Sequence, residues 1–179
     1  MSTALISIIC EDHPGLIAGV TGLLFDLGIN LGDTTFAVLG GGAEFTLVAK
    51  LPDRLTIDEL ERDLRALDEM QGAKLTVTPF SYRESHDQSA RITHRVEITG
   101  DDNPGLIARL SEALGAFGAN IVRLNSESAP GESGASFRLR MAIWVPDDKA
   151  IACMATVANT AGQMNLKCQW QAVEQAVGS

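Results

Sequence analysis

Two stretches of this chain carry residues that could hold a small charged molecule. They are Asp12-His13-Pro14-Gly15-Leu16-Ile17-Ala18 and, ninety positions later (12 to 102), Asp102-Asn103-Pro104-Gly105-Leu106-Ile107-Ala108. Each follows an apolar, β-branched run and opens an amphipathic one, the layout of a strand entering a helix through a very short turn. Proline suits the first helical position, because its missing N–H would have had no partner there and its φ is already helical. The spacing therefore predicts Pro14 and Pro104 as first helical residues, with His13 and Asn103 in the extended geometry of an N-cap. The glycine that follows leaves the helix start without a side chain. Free N–H groups and the positive end of the helix dipole are then open to a small anion. An economical turn is the competing reading. A second copy at a matching place raises the binding reading to equal standing with it.

The elements that must position these turns also repeat. Ala4–Cys10 and Thr93–Thr99 read as strands. Leu16, Ile17, Val20, Leu23, Leu24 and Leu27 share one helical face, as do Leu106, Ile107, Leu110, Leu114 and Phe117. Gly28 and Gly118 stand where a C-terminal glycine cap belongs, and Asn30 and Asn120 begin a second strand. That strand turns at Gly40-Gly41-Gly42 in the first half and within Ala129–Gly134 in the second. After this point the repeat offset changes from 90 to 94 (Leu51-Pro52-Asp53 against Val145-Pro146-Asp147), which assigns four extra residues to the second hairpin loop. A second helix starts at Thr56-Ile57-Asp58-Glu59, a capping-box pattern, with Ile57, Leu60, Leu64, Leu67 and Met70 on its buried face. Its counterpart runs from about Asp148 to Met164 with a thinner stripe of Ile151, Met154, Val157 and Ala161; Gly72 and Gly162 are the expected helix ends. Last strands follow at Lys74–Phe80 and Leu166–Ala172, and Glu174–Ser179 is expected to fray.

Each half is thus βαββαβ, which predicts an α+β fold of two ferredoxin-like domains. Each domain would be a four-stranded antiparallel sheet with two helices on one face. The expected organisation is a first domain over 1–80, a polar linker over 81–90 and a second domain over 91–179.

Composition narrows the function classes. With 45% hydrophobic and 21% charged residues among 179, the chain can build cores and need not be disordered. The first seventeen residues lack the basic start of a signal peptide, and no run is long enough to span a membrane. Cys10, Cys153 and Cys168 are an odd, scattered set that reads as buried small hydrophobes in a reducing, cytoplasmic setting. The formal net charge of −9 argues against direct nucleic-acid binding, which needs a basic surface. The halves differ: residues 1–90 hold 14 acidic and 6 basic residues, and residues 91–179 hold 9 and 8. A local basic patch could form, for example around Arg138 and Arg140, but their alternate spacing reads as the solvated side of one strand.

The Asp-x-Pro-Gly-Leu-Ile turn, the helix ends Leu27-Gly28-Ile29-Asn30 and Phe117-Gly118-Ala119-Asn120, and the repeated element order resemble a tandem ACT-domain protein. The stretch from Asn30-Leu31-Gly32-Asp33 through Ala37-Val38-Leu39-Gly40 to Glu44-Phe45-Thr46 is similar to the glycine cleavage system transcriptional repressor group. The resemblance implies regulatory amino-acid binding at an interface between ACT domains, between the β1–α1 turn of one and the start of β2 near its neighbour. It nominates Asp12, His13, Gly15 and Leu16 with Asn30, and Asp102, Asn103, Gly105 and Leu106 with Asn120. Backbone N–H groups at Gly15 and Leu16 would hold a carboxylate, Asp12 an ammonium, and the Asn30 amide would donate and accept. Asn30 and Asn120 equally suit a plain turn after the glycine. The copies differ at His13 against Asn103 and Gly19 against Arg109, so the two sites need not be equivalent.

Catalysis has no visible constellation. His13, His86 and His94 form no acid–base constellation in the sequence and have no zinc-ligand spacing, so neither a metal nor a cofactor is expected and the chain is read as a non-enzyme. Gly40-Gly41-Gly42 lacks the Lys-Ser/Thr of a phosphate loop. The acidic helix Asp58–Glu69 reads as a solvated face with Arg62 and Arg65 in reach. Two function classes remain. One is a sensor of a small amino acid, glycine first and serine next, that regulates through a protein partner and not through DNA or membrane contact, with a homodimer left open. The other is a constitutive interaction module without a small-molecule ligand.

Overall fold

The computed structural model describes residues 2–83, 85–131 and 134–173. The chain divides into two compact units, Met1–Arg83 and Glu84–Ser179. Both are ferredoxin-like βαββαβ folds. The first runs β1 (Ser2–Glu11), α1 (Leu16–Asp26), β2 (Asn30–Leu39), β3 (Gly42–Leu51), α2 (Ile57–Arg65) and β4 (Lys74–Pro79). The second runs β5 (His94–Asp101), α3 (Leu106–Ala116), β6 (Asn120–Gly131), β7 (Gly134–Trp144), α4 (Ala150–Gln163) and β8 (Lys167–Ala172). The sheet orders are β2-β3-β1-β4 and β6-β7-β5-β8, antiparallel at every pairing.

Strand alternation decides which side of each sheet is covered. Ala4, Ile6, Ile8 and Cys10 of β1 and Phe45, Leu47, Ala49 and Leu51 of β3 are buried with Leu16, Val20 and Leu24 of α1 and Leu60 and Leu64 of α2. Both helices therefore lie on that one face. In the second unit Val96, Ile98, Leu139, Met141 and Ile143 pack with Leu106, Leu110 and Leu114 of α3 and Cys153, Met154, Val157 and Ala161 of α4. Full burial of one Leu or Ile contributes about 1.5–3 kcal/mol, so each cluster is the main stabilising term of its own unit. The opposite face of each sheet carries the alternate residues and is open.

Several expectations change in detail. Ile17 (43% exposed), Ile107 (38%) and Ile151 (86%) do not join the cores, because the inward stripes run through every fourth residue beside them. α2 stops at Arg65; Leu67 is extended (ψ 139°) and a separate 3-10 turn, Asp68–Met70, delivers Met70 to the core. α4 passes through Gly162, and the left-handed residue after it is Asn165 (φ 59°), a side chain that tolerates that region. Gly28, Gly72 and Gly118 do take positive φ at element ends. Cys10 and Cys153 are buried, whereas Cys168 is only half-buried; all three are free thiols.

The four extra residues of the second hairpin do not enlarge its loop. Leu39 pairs with Gly42 in the first hairpin and Gly131 with Gly134 in the second, so the insertion lengthens the paired strands by continuing the ladder. Glu132, Ser133 and residues 174–179, where fraying was expected, lie outside the described residues. No helix among the described residues is long and apolar enough to cross a membrane.

Candidate functional site

The two Pro-Gly turns build nearly the same local geometry. Gly15 has φ 98° and ψ −19°, and Gly105 has φ 84° and ψ 1°. These are the angles of the third residue of a type II turn with proline second. The Leu106 N–H closes that turn on Asn103 O at 3.3 Å. Proline is therefore a turn residue and not the first helical one. The helices begin at Leu16 and Leu106, with the left-handed glycine as N-cap instead of His13 or Asn103. The first intrahelical bonds confirm the frame: Gly19 N–H donates to Gly15 O at 2.8 Å, and Arg109 N–H to Gly105 O at 3.0 Å.

This shift moves the anion donors by one residue. The N–H groups ahead of Gly19 that lack an intrahelical acceptor are those of Leu16, Ile17 and Ala18, and in the second unit those of Ile107 and Ala108 once Leu106 has closed the turn. The Leu16 and Leu106 side chains are 1% and 2% exposed, so only their backbones can meet a ligand. Nothing lies within 4 Å of a Cβ built on Gly15 or Gly105. The left-handed φ of each glycine favours glycine there whatever the space around it.

The residue before each proline has a structural task. His13 Nε2 lies 3.3 Å from Glu69 O, and Asn103 Nδ2 donates to Met164 O at 3.2 Å and to Asp101 O at 3.3 Å. In both units this side chain ties the turn to the segment leading into the last strand. Asp12 and Asp102 are exposed beside the turns, and the Asp12 N–H donates to Gly41 O at 3.0 Å. Burial pushes the Cys10 thiol up, and the nearby Asp12 charge adds to that shift.

Asn30 and Asn120 do not join the turns of their own units. Asn30 pairs with Lys50, which pairs with Thr3, whereas the β1–α1 turn follows Glu11. Eight residues of strand separate the two levels, about 27 Å at 3.4 Å per residue. Asn120 pairs with Trp144, likewise at the far end from Asp102, and its Nδ2 donates to Ser89 O at 2.9 Å. Asn30 makes no such bond among the described residues and is exposed. A register shift follows each asparagine, at Leu31/Thr34 and Ile121/Arg123, and such bulges re-aim neighbouring side chains.

The structure adds a residue that the pattern did not nominate. The Glu69 carboxylate packs over Gly19: a Cβ there would meet Glu69 Oε1 at 2.5 Å. It is half-buried and makes no hydrogen bond among the described residues. The second unit has Arg109 at the place of Gly19, so the two turns differ in charge. The signal in sequence was a glycine in α1 and an acid in the segment between α2 and β4, and only the fold makes that pairing visible. No cluster of three His, Cys, Asp or Glu suited to a metal ion occurs among the described residues.

Residues 4–69 match the family model of the ACT domain. Among curated proteins no sequence matches the chain. Solved structures similar to it over nearly its whole length include an "unknown protein" from Galdieria sulphuraria, at 18% identity and a TM-score of 0.75, covering 97% of this chain and 99% of that one. Another is a candidate glycine cleavage system transcriptional repressor, at 15% identity and a TM-score of 0.68, covering 97% and 98%. At such identities the likeness is one of fold. The first unit is thus ACT-like by sequence and fold, and the second repeats its strand order.

Proposed function

We propose that this protein is an amino-acid-responsive regulator that acts through a protein partner, with glycine the first candidate ligand and serine the next. The observation that carries the reading is the α1 start: unspent N–H groups of Leu16, Ile17 and Ala18 beside two carboxylates, Asp12 and Glu69, in an ACT-like fold. N–H groups at a helix start suit the ligand carboxylate, and an adjacent acid suits its ammonium. The first turn is the better of the two, because the Glu69 carboxylate lies over Gly19 as a partner for the ammonium, where the second turn carries Arg109. Asn30, remote from its own turn, would serve a turn presented by another copy of the chain, which ties ligand binding to self-association. The net charge of −9 supports repression, if that is the output, through a protein and not through DNA. Calorimetry and thermal shift with glycine and serine test this. Saturable heat and a melting temperature rising with ligand are expected. No response to any common amino acid would overturn it.

One observation favours a constitutive pairing module instead. β2 is an edge strand with Leu31, Phe36, Val38 and Leu39 between 37% and 62% exposed, an apolar edge suited to pairing. On that reading the oligomer forms without ligand, and amino acids leave its dissociation constant unchanged.

A further inference from the structure

The open face of the second sheet carries a concavity that the amino-acid reading does not use. Its volume is about 640 Å³, within the range of small-molecule sites. Register builds it row by row. Gln171, Arg95, Ala142 and Arg123 lie abreast across β8, β5, β7 and β6, and the next row is Gln169, Glu97, Arg140 and Asn125. Ala142 is the small residue between two arginines, so its missing bulk makes the floor. Two strand spacings place the Arg95 and Arg123 backbones about 10 Å apart, with long side chains rising on either side.

The charges on this face are unevenly spent. Glu97 holds Arg138 at 3.1 Å and Arg140 at 3.8 Å, and Glu127 holds Arg140 at 3.0 Å. Arg95 and Arg123 make no ion pair or hydrogen bond among the described residues, and both are exposed. The two rows thus set three guanidiniums against one carboxylate in a chain whose net charge is −9. The fold does not require this: at the matching place the first sheet has Leu5 opposite Val48 and Ser7 opposite Thr46.

From this charge complementarity we infer that the groove between Arg95 and Arg123 binds a phosphorylated small molecule carrying at least two negative charges. Planar guanidiniums grip phosphate oxygens two at a time, and a pair flanking one floor residue suits a ligand with oxyanions at both ends. The side-chain amides of Asn125, Gln169 and Gln171, unspent among the described residues, supply donors and acceptors for its neutral part. This inference is independent of the turn site and stands or falls without it.

Inorganic pyrophosphate is the probe. Calorimetry and thermal shift on the full chain, at fixed ionic strength with chloride as control, should give saturable one-to-one binding and a rise in melting temperature. Arg95→Gln and Arg123→Gln should each weaken binding about tenfold, as expected for loss of a charged hydrogen-bond donor. Ala142→Leu, which fills the floor without changing charge, should weaken it too, and Arg91→Gln outside the groove should not. Circular dichroism checks that each variant is folded. Absence of heat at millimolar pyrophosphate, or equal affinity in wild type, Arg95→Gln and Arg123→Gln, would overturn the assignment.

Discussion

The Asn120 side chain donates to the Ser89 carbonyl at 2.9 Å and so ties the segment ahead of β5 to the start of β6. Asn30, at the equivalent place in the first unit, is exposed and makes no such bond among the described residues. The two asparagines should therefore separate stability from binding. Asn120→Ala should cost about 0.5–1.5 kcal/mol of stability, the net value of one hydrogen bond. Asn30→Ala should leave stability within about 0.5 kcal/mol, as a surface change does. If Asn30 contacts the ligand, its loss should weaken amino-acid binding by about 1–3 kcal/mol, roughly five- to 150-fold. Urea titrations paired with calorimetry read both quantities.

Gly15 and Gly105 define a second prediction. Both are left-handed, at φ 98° and 84°, with open space where a Cβ would point. Alanine at either should cost about 1–2 kcal/mol through backbone strain. Asparagine, which tolerates that region, should recover part of the loss. If crowding were the cause, the larger asparagine would be the worse of the two. Gly22 is helical, not left-handed and equally uncrowded, so Gly22→Ala should stabilise by about 0.5–1 kcal/mol.

These contrasts show which parts of the molecule were legible in its sequence. The repeat of apolar strand, Pro-Gly turn and periodic helix carried the ferredoxin-like order, because period 2 and period 3.6 determine faces locally. Stripe edges were harder: Ile17 and Ile151 share the helical period of the core but fall outside the angle that the sheet covers. The turn was recognised, yet the helix starts two residues later than expected, at Leu16 and not Pro14, since proline is equally at home at the first helical position and second in a type II turn. The candidate site was only partly legible. Asp12 and Gly15 are neighbours in sequence, whereas Glu69 reaches Gly19 only through packing of the segment before β4. The row of Arg95, Ala142 and Arg123 is set by strand register across three separated segments, and the spacing of Arg138 and Arg140 alone did not disclose it.

The capping box of α2 gives a third prediction. The Glu59 N–H donates to Thr56 Oγ1 at 3.2 Å, and the Thr56 N–H returns a bond to Glu59 Oε2 at 2.9 Å. The Thr56 backbone N–H, with its hydroxyl next, holds the Glu59 carboxyl below the usual range. Thr56→Ala should cost about 1 kcal/mol. Because the Glu59 value is depressed on folding, the capping contribution is present above the unfolded carboxyl value, about 4.3, and is lost as pH falls through the folded value. The gap between wild type and Thr56→Ala in chemical denaturation should therefore narrow at low pH.

The fourth prediction concerns His94 and the pH response of the second unit. The Thr93 hydroxyl accepts from the Val145 N–H at 3.0 Å and donates to Ile143 O at 3.3 Å, so His94 Nδ1, 3.0 Å away, is the atom that donates to it. His94 is 9% exposed, and its ring centroid lies 5.9 Å from that of Trp170. Burial pushes its pKa down, partly offset by the charge of Asp147. A depressed histidine folds more readily neutral than charged. Its contribution is present above the unfolded value, about 6.5, and is lost as pH falls through the lower folded value. The melting temperature of the second unit should thus decline from pH 7.5 to pH 5 at constant ionic strength. His94→Phe keeps a ring against Trp170 but cannot be protonated, so its decline should be shallower. Parallel pH profiles of the two proteins would show the histidine not to matter if they ran together.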